Sequence, residues 1–175
     1  MKTVILLDAA AIDRAVMRMA HEIVEHNPQP DMLAFVGIRT HGAPLARRLA
    51  AKVGEICSRT FPIGELDVSM HRDDLDLRDT PRAVGASHIV FDVDDKTIVL
   101  VDDVLFKGRT IRAAMDELND FGRPQCIQLA VLVDRGHREL PIRADFVGKN
   151  VPTALSEQVK VLLTEVDGKD EVLLQ

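Results

Sequence analysis

The chain has 175 residues, 46% hydrophobic and 29% charged, with a formal net charge of −6. That is one domain's length with ample apolar side chain for a core, which excludes disorder and collagen-like or low-complexity classes. The acidic total excludes coating of nucleic acid by bulk charge and leaves only a local basic face for such a partner, while six Phe with no Tyr or Trp offer few rings for a base-stacking platform.

In chain order, residues 4–7 form an apolar run far short of the roughly 20 residues of a membrane span. No cleavage pattern follows it, and a cytoplasmic protein without a membrane partner is expected. Asp8 is placed to cap a helix over residues 9–26, in which Ile12, Val16, Met19 and Ile23 share one apolar face. Residues 32–38 have the length and apolarity of a buried strand. The Arg39-Thr40-His41-Gly42-Ala43-Pro44 stretch breaks it before a second helical pattern running to about residue 55. Residues 64–71 alternate as a strand, and residues 72–87 carry charge, Pro81 and Gly85 with little periodicity, as a mobile loop does. Residues 97–101 are nearly all β-branched and apolar, the signature of a strand covered on both faces, and end in Asp102-Asp103. A helix is predicted over 110–121, stopped by Gly122, before a further buried strand at 127–133. No repeat or linker divides the chain. Strand, loop, helix and strand make a βαβ unit, so the fold expected is α/β with a mainly parallel sheet, whose ligand lies at the carboxyl ends of the strands. Cys57 and Cys126 are too few for a disulfide framework or a multi-cysteine zinc site and read as core thiols. His41 and His71 have no metal-spaced partner, and no protein metal site is assigned.

The segment Val104-Leu105-Phe106-Lys107-Gly108-Arg109-Thr110 carries the chemistry. A glycine turn entering a helix points successive backbone N–H groups outward, an anion cradle that the Thr110 hydroxyl completes. The adjacent carboxylates of Asp102 and Asp103 suit the vicinal diol of a ribose. Taken by itself, a short Gly loop behind an Asp pair equally describes an ordinary capped turn. The loop has neither Gly-x-Gly-x-x-Gly spacing nor a Walker A ending.

The whole string resembles the 5-phosphoribosyl-1-pyrophosphate (PRPP) signature of type I phosphoribosyltransferases: a hydrophobic strand, two acids, then a Thr-Gly-x-Thr-like loop. The resemblance implies that fold, a central mainly parallel sheet flanked by helices with a small hood region, in one domain over 1–175. It assigns the ribose hydroxyls to Asp102 and Asp103, the 5-phosphate to Lys107, Gly108, Arg109 and Thr110, and the pyrophosphate loop to Arg39-Thr40-His41-Gly42. Residues 72–87 take the place of the loop that closes over the site. Arg39, Arg72 and Asp103 are then the catalytic candidates, and Mg²⁺ arrives bound to PRPP. Lys107 departs from the pattern, standing where Thr is usual. Phe106 occupies the position at which purine transferases carry a carboxylate base, so a purine substrate is disfavoured.

Residues 127–153, together with Ala20-His21-Glu22, Val36-Gly37-Ile38 and Arg72-Asp73-Asp74-Leu75, are similar to the bacterial pyrimidine operon attenuation protein (PyrR) family over nearly the full chain. The resemblance implies a uridine-nucleotide-dependent regulator that binds pyrimidine-operon leader RNA and also acts as uracil phosphoribosyltransferase. Its expected ligands are PRPP, uracil, UMP and UTP, and its expected state is a homodimer or higher homo-oligomer. The alternative is a regulator of this fold with little or no enzyme activity. Independently of the family, Arg14, Arg18 and His21 recur along one helix stripe opposite the apolar face. Residues 135–149 hold four Lys/Arg against two acids, whereas residues 65–79 hold six acids against two Arg. Taken alone, such a basic stripe describes any solvated helix face. The family's RNA-contact positions fall on Arg18, His21, Thr40, His137, Arg138, Arg143 and Lys149; Met17 replaces a Thr used beside Arg18.

Overall fold

A computed structural model describes residues 3–69 and 86–175. The elements are β1 (Val4–Asp8), α1 (Ala9–His26), β2 (Leu33–Ile38), α2 (Gly42–Cys57), β3 (Ile63–Leu66), β4 (Thr97–Leu105), α3 (Arg109–Asn119), β5 (Cys126–Asp134), β6 (Phe146–Asn150), β7 (Val159–Leu162), α4 (Thr164–Asp167) and β8 (Glu171–Leu174). Five strands form a wholly parallel sheet in the order β3-β2-β4-β5-β6, the α/β architecture expected. The remaining strands form a small antiparallel sheet, β1-β8-β7, beside it.

Side-chain alternation along the strands divides the core between the two sheet faces. Phe35, Val99, Val101, Ala130 and Leu132 join Ile12, Val16, Met19 and Ile23 of α1 and Leu45, Leu49 and Val53 of α2 in one buried cluster. Val36, Ile98, Leu100, Leu129 and Val131 face the other way, against Ile111, Ala114 and Leu118 of α3. The predicted apolar face of α1 is therefore core. Asp8 caps that helix as its spacing implies, its Oδ1 accepting from the Ala11 N–H at 2.8 Å.

Two strand ends and one unassigned run differ from expectation. β4 runs on through the Asp pair to Leu105, because Asp102 and Val104 stay in register with Val131 and Val133 of β5. β3 stops at Leu66, where its pairing with β2 ends. The 4–7 run is a strand because residues at the far end of the chain supply its partner, β8. Neither cysteine is in the core, Cys57 being half-buried and Cys126 exposed.

α2 begins hard against β4. A Cβ on Gly42 would lie 2.4 Å from the Val101 carbonyl oxygen, so only glycine permits this approach. It brings the loop before α2 to the carboxyl end of β4.

Candidate functional site

The carboxyl ends of the parallel strands gather most of the residues that the sequence nominated. Asp102 is buried, and its Oδ1 accepts from the Asp103 N–H at 2.9 Å; Asp103 Oδ1 in turn accepts from the Val104 N–H at 2.8 Å. These contacts fix both carboxylates at the strand end and leave Asp103 partly exposed, with its Oδ2 3.6 Å from His41 Nδ1. The peptide between Arg39 and Thr40 is cis. The Arg39 N–H donates to the Leu66 carbonyl and its Nε to Glu65 Oε2 at 3.0 Å, and Arg47 pairs with the same carboxylate. Glu65 therefore orients the candidate pyrophosphate-loop arginine. Thr40 beside it is exposed.

On the other side of the Asp pair, the chain turns through Gly108, whose φ of 94° favours glycine, straight into α3 at Arg109. The helix starts one residue earlier than its periodicity implies, so its first turn, whose N–H groups have no partner within the helix, follows Gly108 directly and includes half-buried Thr110. Leu105 is buried in the core, whereas Val104 and Phe106 are half-buried. The Phe106 ring lies under the Arg135 guanidinium at 4.1 Å and meets the His137 ring edge-on. Burial pushes the Arg135 pKa down, and its side chain donates to Thr153 Oγ1 and the Ala154 carbonyl.

The segment after β5 docks on this loop. The Lys107 carbonyl accepts from the N–H groups of Glu139 and Leu140, and the Glu139 carboxylate pairs with Lys107 Nζ at 2.7 Å and Arg109 Nε at 2.9 Å. The Lys107 hydrogen bond, then that of Arg109, holds the Glu139 pKa below its ordinary value. Nothing in the local sequence marks Glu139 or Glu65 as a site residue, or Asp167, whose Oδ2 lies 2.9 Å from His41 Nε2, since each acts through a partner distant along the chain. Arg72 and residues 72–85 of the predicted closing loop lie outside the described residues.

Apart from Thr40 in the 39–42 loop, the proposed RNA contacts fall into two groups. Arg14, Arg18 and His21 are all exposed on α1, as the stripe implies. Arg18 donates to Glu22 and to the Val147 and Gly148 carbonyls of β6, and Lys149 of β6 donates to the Leu6 carbonyl, so helix stripe and strand adjoin. His137, Arg138 and Arg143 lie instead on the β5–β6 connection. There His137 Nε2 sits 2.6 Å from the Thr153 carbonyl. Arg138 donates to Asp134 and to the Phe106, Gly136 and Ile142 carbonyls. Arg138 thus supports the loop around Gly108 directly.

Among the described residues no three His, Cys, Asp or Glu side chains converge as a metal cage, and no helix is long and apolar enough to cross a membrane.

The chain matches the phosphoribosyl transferase domain family over residues 3–167. It is 59% identical over 163 residues to the bifunctional protein PyrR of Roseiflexus sp., covering 93% of this chain and 89% of that one. It is 58% identical over 170 residues to the bifunctional protein PyrR of Streptomyces coelicolor, covering 97% and 88%. Among solved structures, a hypoxanthine phosphoribosyl transferase from Trypanosoma cruzi superimposes with a TM-score of 0.76 over 98% of this chain and 90% of that one at 15% identity. A hypoxanthine phosphoribosyltransferase from Staphylococcus aureus gives 0.70 over 97% and 90% at 19% identity. Both structural likenesses concern the fold. With its Asp pair at the end of the central strand, its Gly turn into a helix and its match to these relatives over nearly their full length, the chain belongs to the PyrR family of phosphoribosyl transferase domain proteins.

Proposed function

We propose that this protein is a uridine-nucleotide-dependent, RNA-binding regulator of pyrimidine operon expression that also acts as a uracil phosphoribosyltransferase, converting uracil and PRPP to UMP and pyrophosphate. The observation that carries the proposal is the juxtaposition at the end of β4. Fixed carboxylates suited to a ribose lie between a Gly108 turn suited to its 5-phosphate and the 39–42 loop suited to its pyrophosphate.

In the reaction, N1 of uracil forms a bond to the anomeric carbon as the carbon–oxygen bond to pyrophosphate breaks, and the N1 proton passes to solvent. The transition state has oxocarbenium character and needs no covalent nucleophile. Asp102 and Asp103 accept hydrogen bonds from the ribose hydroxyls and hold the anomeric carbon in line. The N–H groups after Gly108 and the Thr110 hydroxyl fix the other end of the sugar. Catalysis is then positioning plus offset of departing negative charge. Arg39, whose Nε is held by Glu65, is assigned to that charge, and Arg72 joins it on the family resemblance. The hard carboxylate oxygens of Asp102 and Asp103 fit a Mg²⁺ ion carried on PRPP, which neutralises pyrophosphate oxygens when bound. Phe106 provides no carboxylate base for a purine.

The same pocket serves as the sensor. UMP or UTP occupies the phosphate loop, and the docked 135–143 segment, which carries His137, Arg138 and Arg143, transmits its occupancy to the RNA face. Few aromatic residues suit recognition of a folded hairpin through phosphates, 2′-hydroxyls and base edges. A cytoplasmic homo-oligomer fits this role.

Uracil-dependent release of pyrophosphate from PRPP, measured beside a leader-RNA titration, tests the proposal. Both activities are expected. RNA binding without pyrophosphate release would reduce the protein to a regulator, and absence of both would overturn the proposal.

A further inference from the structure

His41 joins three elements at one point. It ends the 39–42 loop, its Nδ1 faces Asp103 Oδ2 of β4 at 3.6 Å, and its Nε2 lies 2.9 Å from Asp167 Oδ2 in the α4 turn. The imidazole is 23% exposed, at the border of the candidate site.

We propose that His41 is a positioning residue for phosphoribosyl transfer, holding the 39–42 loop beside Asp103 by tying that loop to the Asp167 carboxylate of the α4 turn. The inference rests on the ribose and pyrophosphate assignments above. A tether is useful only if its far end is rigid, and Asp167 is. Its Oδ2 also accepts from the Leu163 N–H at 2.9 Å, and its own N–H donates back to the Leu163 carbonyl. The turn is anchored a second time by Arg48, which donates to Glu165 at 2.6 and 2.8 Å and to both Asp170 oxygens at 2.8 Å. His41 and Arg48 are seven residues apart, two helical turns, so the small sheet grips one side of α2 at two points.

The two grips differ in what they reach. Arg48 touches only the turn in these contacts, whereas His41 also lies 3.6 Å from the carboxylate assigned to the ribose. Loss of the imidazole frees the loop that receives pyrophosphate from its anchor beside Asp103. A displacement of that loop costs PRPP affinity before it costs stability. The small sheet thereby contributes to the site through one side chain, a role that its sequence does not announce.

The test compares the full-length wild type, His41→Ala, His41→Gln, Asp167→Asn and the control Glu165→Gln. Each is measured for binding of labelled PRPP with Mg²⁺ by equilibrium dialysis and for steady-state uracil transfer. His41→Ala is expected to weaken PRPP binding and raise its KM about tenfold, with kcat changed far less. His41→Gln, whose amide nitrogen replaces Nε2 toward Asp167, restores most of the loss. Asp167→Asn reproduces the His41→Ala effect, and the double variant is no worse than either single one. Glu165→Gln, which weakens only the Arg48 grip, leaves the KM for PRPP unchanged. Wild-type PRPP affinity in His41→Ala, an equal KM defect in Glu165→Gln, or additive effects of His41→Ala and Asp167→Asn would overturn the inference while leaving the functional reading intact. Failure of the wild type itself to bind PRPP would overturn the functional reading, and this inference with it.

Discussion

Lys107 and Glu139 form an ion pair at 2.7 Å, and the same carboxylate takes Arg109 at 2.9 Å, so one acid from the β5–β6 connection holds both cations that flank Gly108. On the proposed function, an incoming phosphate at this loop competes with Glu139 for Lys107. All three side chains are well exposed, and a pair of this kind is screened by water and salt. Glu139→Gln is expected to tighten UMP binding by about two- to fivefold at low ionic strength, the effect fading with salt. Calorimetric titration checks it; equal affinity in both proteins would mean that Lys107 does not reach the phosphate.

Asp103→Asn keeps the shape of the side chain and removes its charge. A ribose hydroxyl donating to a carboxylate loses its charge-assisted bond, so kcat/KM for PRPP should fall by about 10- to 100-fold. Thermal unfolding should barely move, because Asp103 is partly exposed. Steady-state kinetics beside calorimetry separates the two effects.

Acid should release the small sheet first. Hydrogen bonding from Arg48 pulls the Asp170 pKa from 3.8 down to about 2 and lowers that of Glu165 as well. A depressed carboxylate pKa adds stability that is fully present above the unfolded value near 4 and is lost as pH falls through the folded value near 2. For Asp170 this amounts to about 2 kcal/mol. Urea unfolding from pH 5 down to pH 2 should show the wild type losing roughly that much more than Asp170→Asn. Parallel pH curves for the two proteins would contradict it.

Arg138 and Arg143 should separate support from recognition. Arg143 is exposed and makes no hydrogen bond or ion pair among the described residues, whereas Arg138 serves three carbonyls and Asp134. Arg143→Ala is expected to weaken leader-RNA binding and reduce its log–log salt slope by about 1 with Tm unchanged. Arg138→Ala should lower Tm as well, since those carbonyls lose their donor. Filter binding over a salt series with parallel melting curves checks both.

Local signals made much of this legible. The Asp8 cap, the 3.6-residue stripe of α1 and the apolar runs of β2, β4 and β5 depend on neighbouring residues, and each element appears where its pattern lies. The Asp pair and the Gly turn follow one another within nine residues and so were readable as one site. What escaped depends on partners far along the chain. β1 is a strand only because β8 supplies its hydrogen bonds, and Glu139 and Asp167 reach the site from 32 and 126 residues beyond Lys107 and His41. No periodicity encodes such contacts. The ends of β3 and β4 escaped for the same reason, being set by their neighbours in the sheet.

The central claim is that one pentose-phosphate pocket serves both synthesis and sensing. Its most direct test is the affinity of purified protein for its pyrimidine-operon leader RNA with and without UMP, paired with UMP affinity with and without that RNA. UMP should tighten RNA binding, and RNA should tighten UMP binding by the same factor, as linkage requires. RNA affinity that is identical at zero and saturating UMP would contradict the account.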